Sequence, residues 1–222
     1  MPDVNRLPSS NESILTVVYH HPRDIPKGDI AVMRKDMRSN IVLPYIDKVL
    51  AMERQGVRIV GSDSQFWIGC YTTGGRNSHP HGATLDFFLS CTDGPIGKYP
   101  IFIHTPAKIN DLERQWVFTR MRHLVDALLG LVSTRRVFSV FAMDPVAEAF
   151  VTLFSNATSI PRVRDPYYAA LFSYCTRKTL TVQEHHPDAH RISIRRAILD
   201  DVSSAAQLCF GFAAESVSSF TC

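Results

Sequence analysis

Tyr99-Pro100-Ile101-Phe102-Ile103-His104 is an apolar run, too short for a helix and rich in β-branched and aromatic residues, which predicts a buried strand. A helix should follow. Asn110 stands three residues before Glu113, the spacing of a capping box, and Val117, Met121, Leu124 and Leu128 then recur on one helical stripe. Arg136-Val137-Phe138-Ser139-Val140-Phe141-Ala142 reads as a second strand. Asp144-Pro145 opens a second helix, with proline in the first turn where its missing N–H costs nothing, and Ala147, Phe150, Val151 and Phe154 fall along one side. Strand, helix, strand, helix with short joints implies neighbouring parallel strands and a right-handed crossover over Tyr99 to Asn156.

The rest of the chain is laid against this unit. Residues 1–13 are polar, with two prolines, and read as a tail. Ile14-Leu15-Thr16-Val17-Val18-Tyr19 is a first strand. Two helices follow, one from Gly28 to Met37 and one from Leu43-Pro44 to the stop at Gly56, with a break at Arg38-Ser39-Asn40. Gln65 to Tyr71 and Ala83 to Cys91 form an antiparallel ribbon around a glycine-rich turn. Tyr167 to Cys175 reads as a last long strand. The element order is then β, α, α, β, β, β, α, β, α, β. The expected fold class is α/β (α+β), a mixed, mostly antiparallel sheet flanked by helices, over residues 14–180. The polar stretch 181–191 reads as a linker. Beyond it, Ile192 to Ala197 makes a short strand, and Asp200 or Asp201 caps a helix carrying Val202, Ala205, Ala206, Cys209 and Phe210 on one face.

Composition sets bounds on function. The chain has 222 residues, 45% of them hydrophobic, enough for a real core. A net charge of +3 with scattered Lys and Arg does not imply nucleic acid. Five cysteines without a CxxC spacing argue against a disulfide framework or zinc ribbon and fit a reducing cytoplasm. No apolar run approaches the ~20 residues that span a bilayer, so no membrane partner is expected. His79-Pro80-His81 and His185-His186 with His190 lack an accompanying Cys or carboxylate at ligand spacing, so no metal is expected. Gly-x-Ser-x-Gly, Walker and HExxH motifs are absent, which removes the usual support for hydrolase and NTPase readings.

The element order resembles the GNAT (GCN5-related N-acetyltransferase) superfamily of acyl-CoA-dependent N-acyltransferases. Ile192-Ser193-Ile194-Arg195-Arg196-Ala197-Ile198-Leu199-Asp200-Asp201, continuing to Leu208, is similar to the opening strand and helix of such a domain. The resemblance implies a tandem arrangement. A divergent N-terminal GNAT-like domain fills 14–180, and 192–222 supplies the first strand and helix of a second, truncated copy, whose unpaired elements offer a route to self-association. It also implies acetyl transfer from acetyl-CoA, the co-substrate, to an amine by direct attack. The alternative is a non-catalytic binding or interaction domain.

Site residues follow from the same resemblance. The family seats the cofactor pyrophosphate on helix-terminal N–H groups in a Gln/Arg-x-x-Gly-x-Gly/Ala loop; Arg120-Met121-Arg122-His123-Leu124-Val125 keeps the Arg but fills both small positions, and it lies well inside the expected helix. The cofactor is instead expected along Ile103 and Thr105 and at the helix start, with Lys108, Asn110 and Arg114 near its phosphates. In the family's Asn-Pro-x-Ala-x-x-x-Tyr run the Tyr protonates the departing thiolate; here Val151 takes that place, and Tyr167, Tyr168 and Tyr174 on the last strand are the substitutes, Tyr174 being the expected one. Asp86, His104 and Glu148 are the base candidates. His104 is the best placed, at the end of the strand where amine and thioester would meet.

Overall fold

The computed structural model describes residues 13–57, 65–74, 83–94, 97–164 and 195–217. The chain divides into two compact units, Met1–Arg162 and Val163–Cys222. In the first, strand β1 (Ser13–Tyr19) is followed by helices α1 (Lys27–Arg34) and α2 (Leu43–Arg54), strands β2 (Phe66–Thr73) and β3 (Ala83–Cys91), and a two-residue ribbon of β4 (Asp93–Gly94) and β5 (Gly97–Lys98). Then come β6 (Ile101–His104), α3 (Arg114–Leu129), β7 (Val140–Phe141) and α4 (Asp144–Thr158). The main sheet has the order β1-β2-β3-β6-β7. Its first three pairings are antiparallel, and β6–β7 is parallel.

Burial on both faces of the sheet explains why β2 and β3 are nearly continuous apolar runs rather than alternating ones. Phe66, Ile68, Cys70, Phe87, Leu89, Ile101 and Ile103 pack under α3 and α4, which present Val117, Met121, Leu124, Ala149 and Phe150. On the opposite face Tyr19, Trp67, Tyr71 and Phe88 pack with Met33, Val42 and Ile46 from the α1–α2 side. Edge strand β1 is half-solvated, with Leu15 exposed.

One irregularity re-aims a charge. Cys70 pairs with Phe87 and Tyr71 with Leu85, so Asp86 has no opposite residue and forms a bulge. A bulge turns two consecutive side chains towards one face. Asp86 thereby joins Phe87 on the α3 side, where its Oδ2 accepts from Thr72 Oγ at 2.6 Å and from Arg120 Nε at 2.8 Å.

Gly69 serves the opposite face. A Cβ there would fall 2.6 Å from Tyr71 Cζ, inside the ring. The room lets Tyr71 lie over the strand, accept from the Tyr19 hydroxyl at 2.7 Å, and donate to Asp29 Oδ2 at 2.6 Å, tying α1 to β1 and β2. Burial and these contacts push the Tyr71 phenol far above its ordinary pKa, so it stays a donor. Gly69→Ala is expected to cost about 2 kcal/mol by displacing this buried ring. Urea unfolding followed by fluorescence checks it, and an unchanged midpoint would disprove the close approach.

Several sequence expectations are corrected in detail. The Asn110 capping box does not form: Ile109–Asp111 is a separate 3-10 turn, and α3 starts at Arg114 behind Glu113, whose side chain makes no capping bond. Leu112, between Asn110 and Glu113, breaks the helical path with ψ 65. The strand expected over Arg136–Ala142 is only Val140–Phe141, because Thr134–Arg136 curls into a 3-10 turn. There Arg136 is buried and donates to the carbonyls of Tyr99 and Thr92. The helix expected to reach Met37 ends at Arg34, and the break is a 3-10 turn over Met37–Ile41.

In the second unit, residues 195–198 are not a strand. A 3-10 turn over Leu199–Asp201 leads into α5 (Val202–Val217). Asp201, directly before α5, makes a capping bond: its carboxylate accepts the Ile198 N–H at 2.9 Å and takes a forked pair of bonds from Arg195, both at 2.7 Å. The expected strand over 167–175, residues 192–194, residues 1–12 of the tail, the His79/His81 turn and the 181–191 linker lie outside the described residues.

Candidate functional site

The parallel pair β6–β7 brings two carboxyl strand ends to one place, and open α/β sheets bind ligands beyond such ends. Ile101 pairs with Val140 and Phe102 with Phe141, and the ladder then stops. On its other side β6 stays paired through Ile103 and His104 to Leu89 and Phe88 of β3. Past Phe141 the chain leaves to start α4 at Asp144. Among the described residues, Ile103 and His104 therefore form an edge with no ladder partner on the β7 side.

Alternation along β6 puts Ile103 among the α3-side core and His104 on the α1–α2 face with Phe102. His104 is 2% exposed, and its Nε2 has no hydrogen-bond partner among the described residues. The nearest charge is Asp36, whose Oδ2 lies 4.0 Å from Nε2. Burial, with Arg38 adding to it and Asp36 opposing, pushes the imidazole pKa down to about 4. His104 is neutral at pH 7 and, in this arrangement, a weak base for an ammonium proton.

Asp36 and Arg38 frame this imidazole from the α1–α2 joint. Arg38 Nε donates to both Asp36 oxygens at 2.9 Å, and the Arg38 backbone N–H donates to Oδ1 at 3.0 Å. Burial raises the Asp36 pKa, but the Arg38 bonds outweigh it and hold the carboxyl below its ordinary value. Arg38 Nη1 reaches across to Met143 Sδ at 3.3 Å, at the cap of α4.

The other expected site residues are not gathered here. Thr105 is buried and uses its Oγ to accept the Ala107 N–H at 3.2 Å, closing the turn after β6. Ile103 is 2% exposed, so its side chain is closed off in the α3-side core. Lys108, Asn110 and Arg114 are exposed, with the Arg114 guanidinium 5.1 Å from the centre of the Phe118 ring. Glu113 at the cap and Asp111 one turn earlier place carboxylates at the true start of α3. Arg120 lies midway along α3, held by Asp86, as its sequence position required. Asp86 is thereby tied into the core, and Glu148 is exposed and paired with Arg162. Tyr174 lies outside the described residues.

Asp36, Arg38 and Met143 were missed from the sequence. The signal was the helix break at Arg38–Asn40, where an Asp-x-Arg at a helix end invites the local side-chain-to-backbone bond observed. Among the described residues no group of three or more His, Cys, Asp and Glu is placed to hold a metal ion, and no helix is long and apolar enough to cross a membrane. Set against protein-family models, curated proteins and solved structures, the chain finds no match in any of the three.

Proposed function

We propose that the first unit is an acyl-CoA-dependent N-acyltransferase-like domain of the GNAT type, taking an acetyl group from acetyl-CoA to an amine. The observation that carries this reading is the thread β1-α1-α2-β2-β3-β6-α3-β7-α4 through a sheet whose sole parallel pair among the described strands ends in an open seam. In the proposed reaction the amine nitrogen attacks the thioester carbonyl, the C–S bond breaks and CoA leaves as thiolate. The ammonium proton goes to His104 Nε2, and Tyr174 returns a proton to the thiolate. Lys108 and Arg114 face the cofactor phosphates.

A second reading, a non-catalytic binding domain built on the same scaffold, is favoured by the acid–base groups themselves. His104 is covered, Asp86 is held by Arg120, and Val151 has no hydroxyl. Calorimetry with acetyl-CoA separates the two. Acetyl-CoA at a hundred times its Kd is expected to stabilise the protein by about 2.7 kcal/mol. Lys108→Ala is expected to weaken binding about threefold, as for an exposed charge contact. Absence of heat with CoA, acetyl-CoA and longer acyl-CoAs rules out the transferase reading.

A further inference from the structure

The α1–α2 joint covers the imidazole to which the transferase reading sends its proton, and the cover can be examined apart from that reading. A buried structural histidine ordinarily satisfies both ring nitrogens. His104 does not: Nε2 is buried without a partner, and 4.0 Å to Asp36 is too long for a hydrogen bond. The 3-10 turn Met37–Ile41 packs against β6, and the partly exposed Asp36 and Arg38 side chains flank the imidazole. No other charged group among the described residues is placed beside it. Phe88, its partner on β3, is apolar and fully buried.

The joint is fixed at both ends. Met33 and Val42 are fully buried, and Ser39 Oγ donates to the Met33 and Asp36 carbonyls at 2.7 and 2.6 Å. The clasp of side chains is bonded within itself, Arg38 Nε to both Asp36 oxygens. Its one hydrogen bond to another element among the described residues is from Arg38 Nη1 to the Met143 thioether, a weak acceptor.

We propose that the Asp36–Arg38 clasp is a gate over His104, closed by the Arg38 bonds to Asp36 and to Met143 and opened when the Arg38 side chain breaks them and rotates away, which exposes Nε2 to a ligand. Opening lets water reach the imidazole and relieves the burial that keeps it neutral, so the open state is the one in which His104 can take a proton. The gate stands apart from acyl transfer, because access can be read without any cofactor.

Diethyl pyrocarbonate, which carbethoxylates neutral imidazole nitrogens, reads access residue by residue under mass spectrometry. His104 is expected to react far more slowly than exposed His123 in the wild type. Arg38→Ala and Asp36→Asn are each expected to speed His104 about tenfold while His123 is unchanged, as when a local closed state is weakened. Labelling of the buried Cys70 thiol reports global unfolding in the same samples. The gate is overturned if His104 reacts as fast as His123 in the wild type or if both variants leave its rate unchanged. A rise at His104 matched by an equal rise at Cys70 also overturns it.

Discussion

Asp86→Ala is expected to destabilise the first unit by about 3–5 kcal/mol, the cost of removing one partner from a buried ion pair. Arg120 is 7% exposed, and its guanidinium would be left as a buried charge without its carboxylate. Without Asp86 its Nε loses a 2.8 Å acceptor. What remains is the Thr72 hydroxyl at 2.6 Å, a long 3.5 Å bond to the Trp116 carbonyl, and the Trp116 ring 4.3 Å away. The expected fall in Tm is about 10 °C for a unit of this size. The double variant Asp86→Leu with Arg120→Met should recover most of that loss, because an apolar pair removes the uncompensated charge together with its desolvation cost. Urea titrations of the single and double variants check the argument. A single variant within about 1 kcal/mol of wild type would show that the network does not hold α3 to the sheet.

The same network marks how far the sequence could be read. The strand–helix alternation from Ile101 to Thr158 was legible because apolar periodicity reports which residues must leave water, and burial decides element type. The failure of the Asn110 cap was not: Asn110 and Glu113 satisfy the local spacing, but Leu112 packs against the α3-side core, and its non-helical backbone delays the helix to Arg114. Asp86 read as a base candidate because a carboxylate on a strand carries no mark of a bulge. Only the pairing of Tyr71 with Leu85 turns it towards Arg120. His104 was legible as a strand-end residue, whereas its cover was not, since Asp36 and Arg38 reach it from sixty-odd residues away. Local spacing finds elements, but long-range side-chain meetings depend on register and on which face each residue takes.

His104 should make that cover measurable through the pH dependence of stability. In the unfolded chain its imidazole titrates at its ordinary 6.5, and in the folded protein burial holds it at about 4. Between these values the unfolded state binds a proton that the folded state refuses, so acidification favours unfolding. The contribution is full above pH 6.5, is lost as pH falls towards 4, and changes no further below that. At about 1.4 kcal/mol per pH unit, the window is worth about 3 kcal/mol. Asp36 does not blur it, because its folded pKa lies below 3.8 and its contribution is lost only at lower pH. His104→Leu keeps the apolar volume and removes the titrating group, so the variant should match wild type near pH 7.5 and exceed its stability at pH 4.5. Urea midpoints at a constant m-value across pH 4 to 7.5 give the comparison. If the slope between pH 6.5 and 4 survives in His104→Leu, the acid sensitivity belongs to another group and His104 is not held neutral by its surroundings.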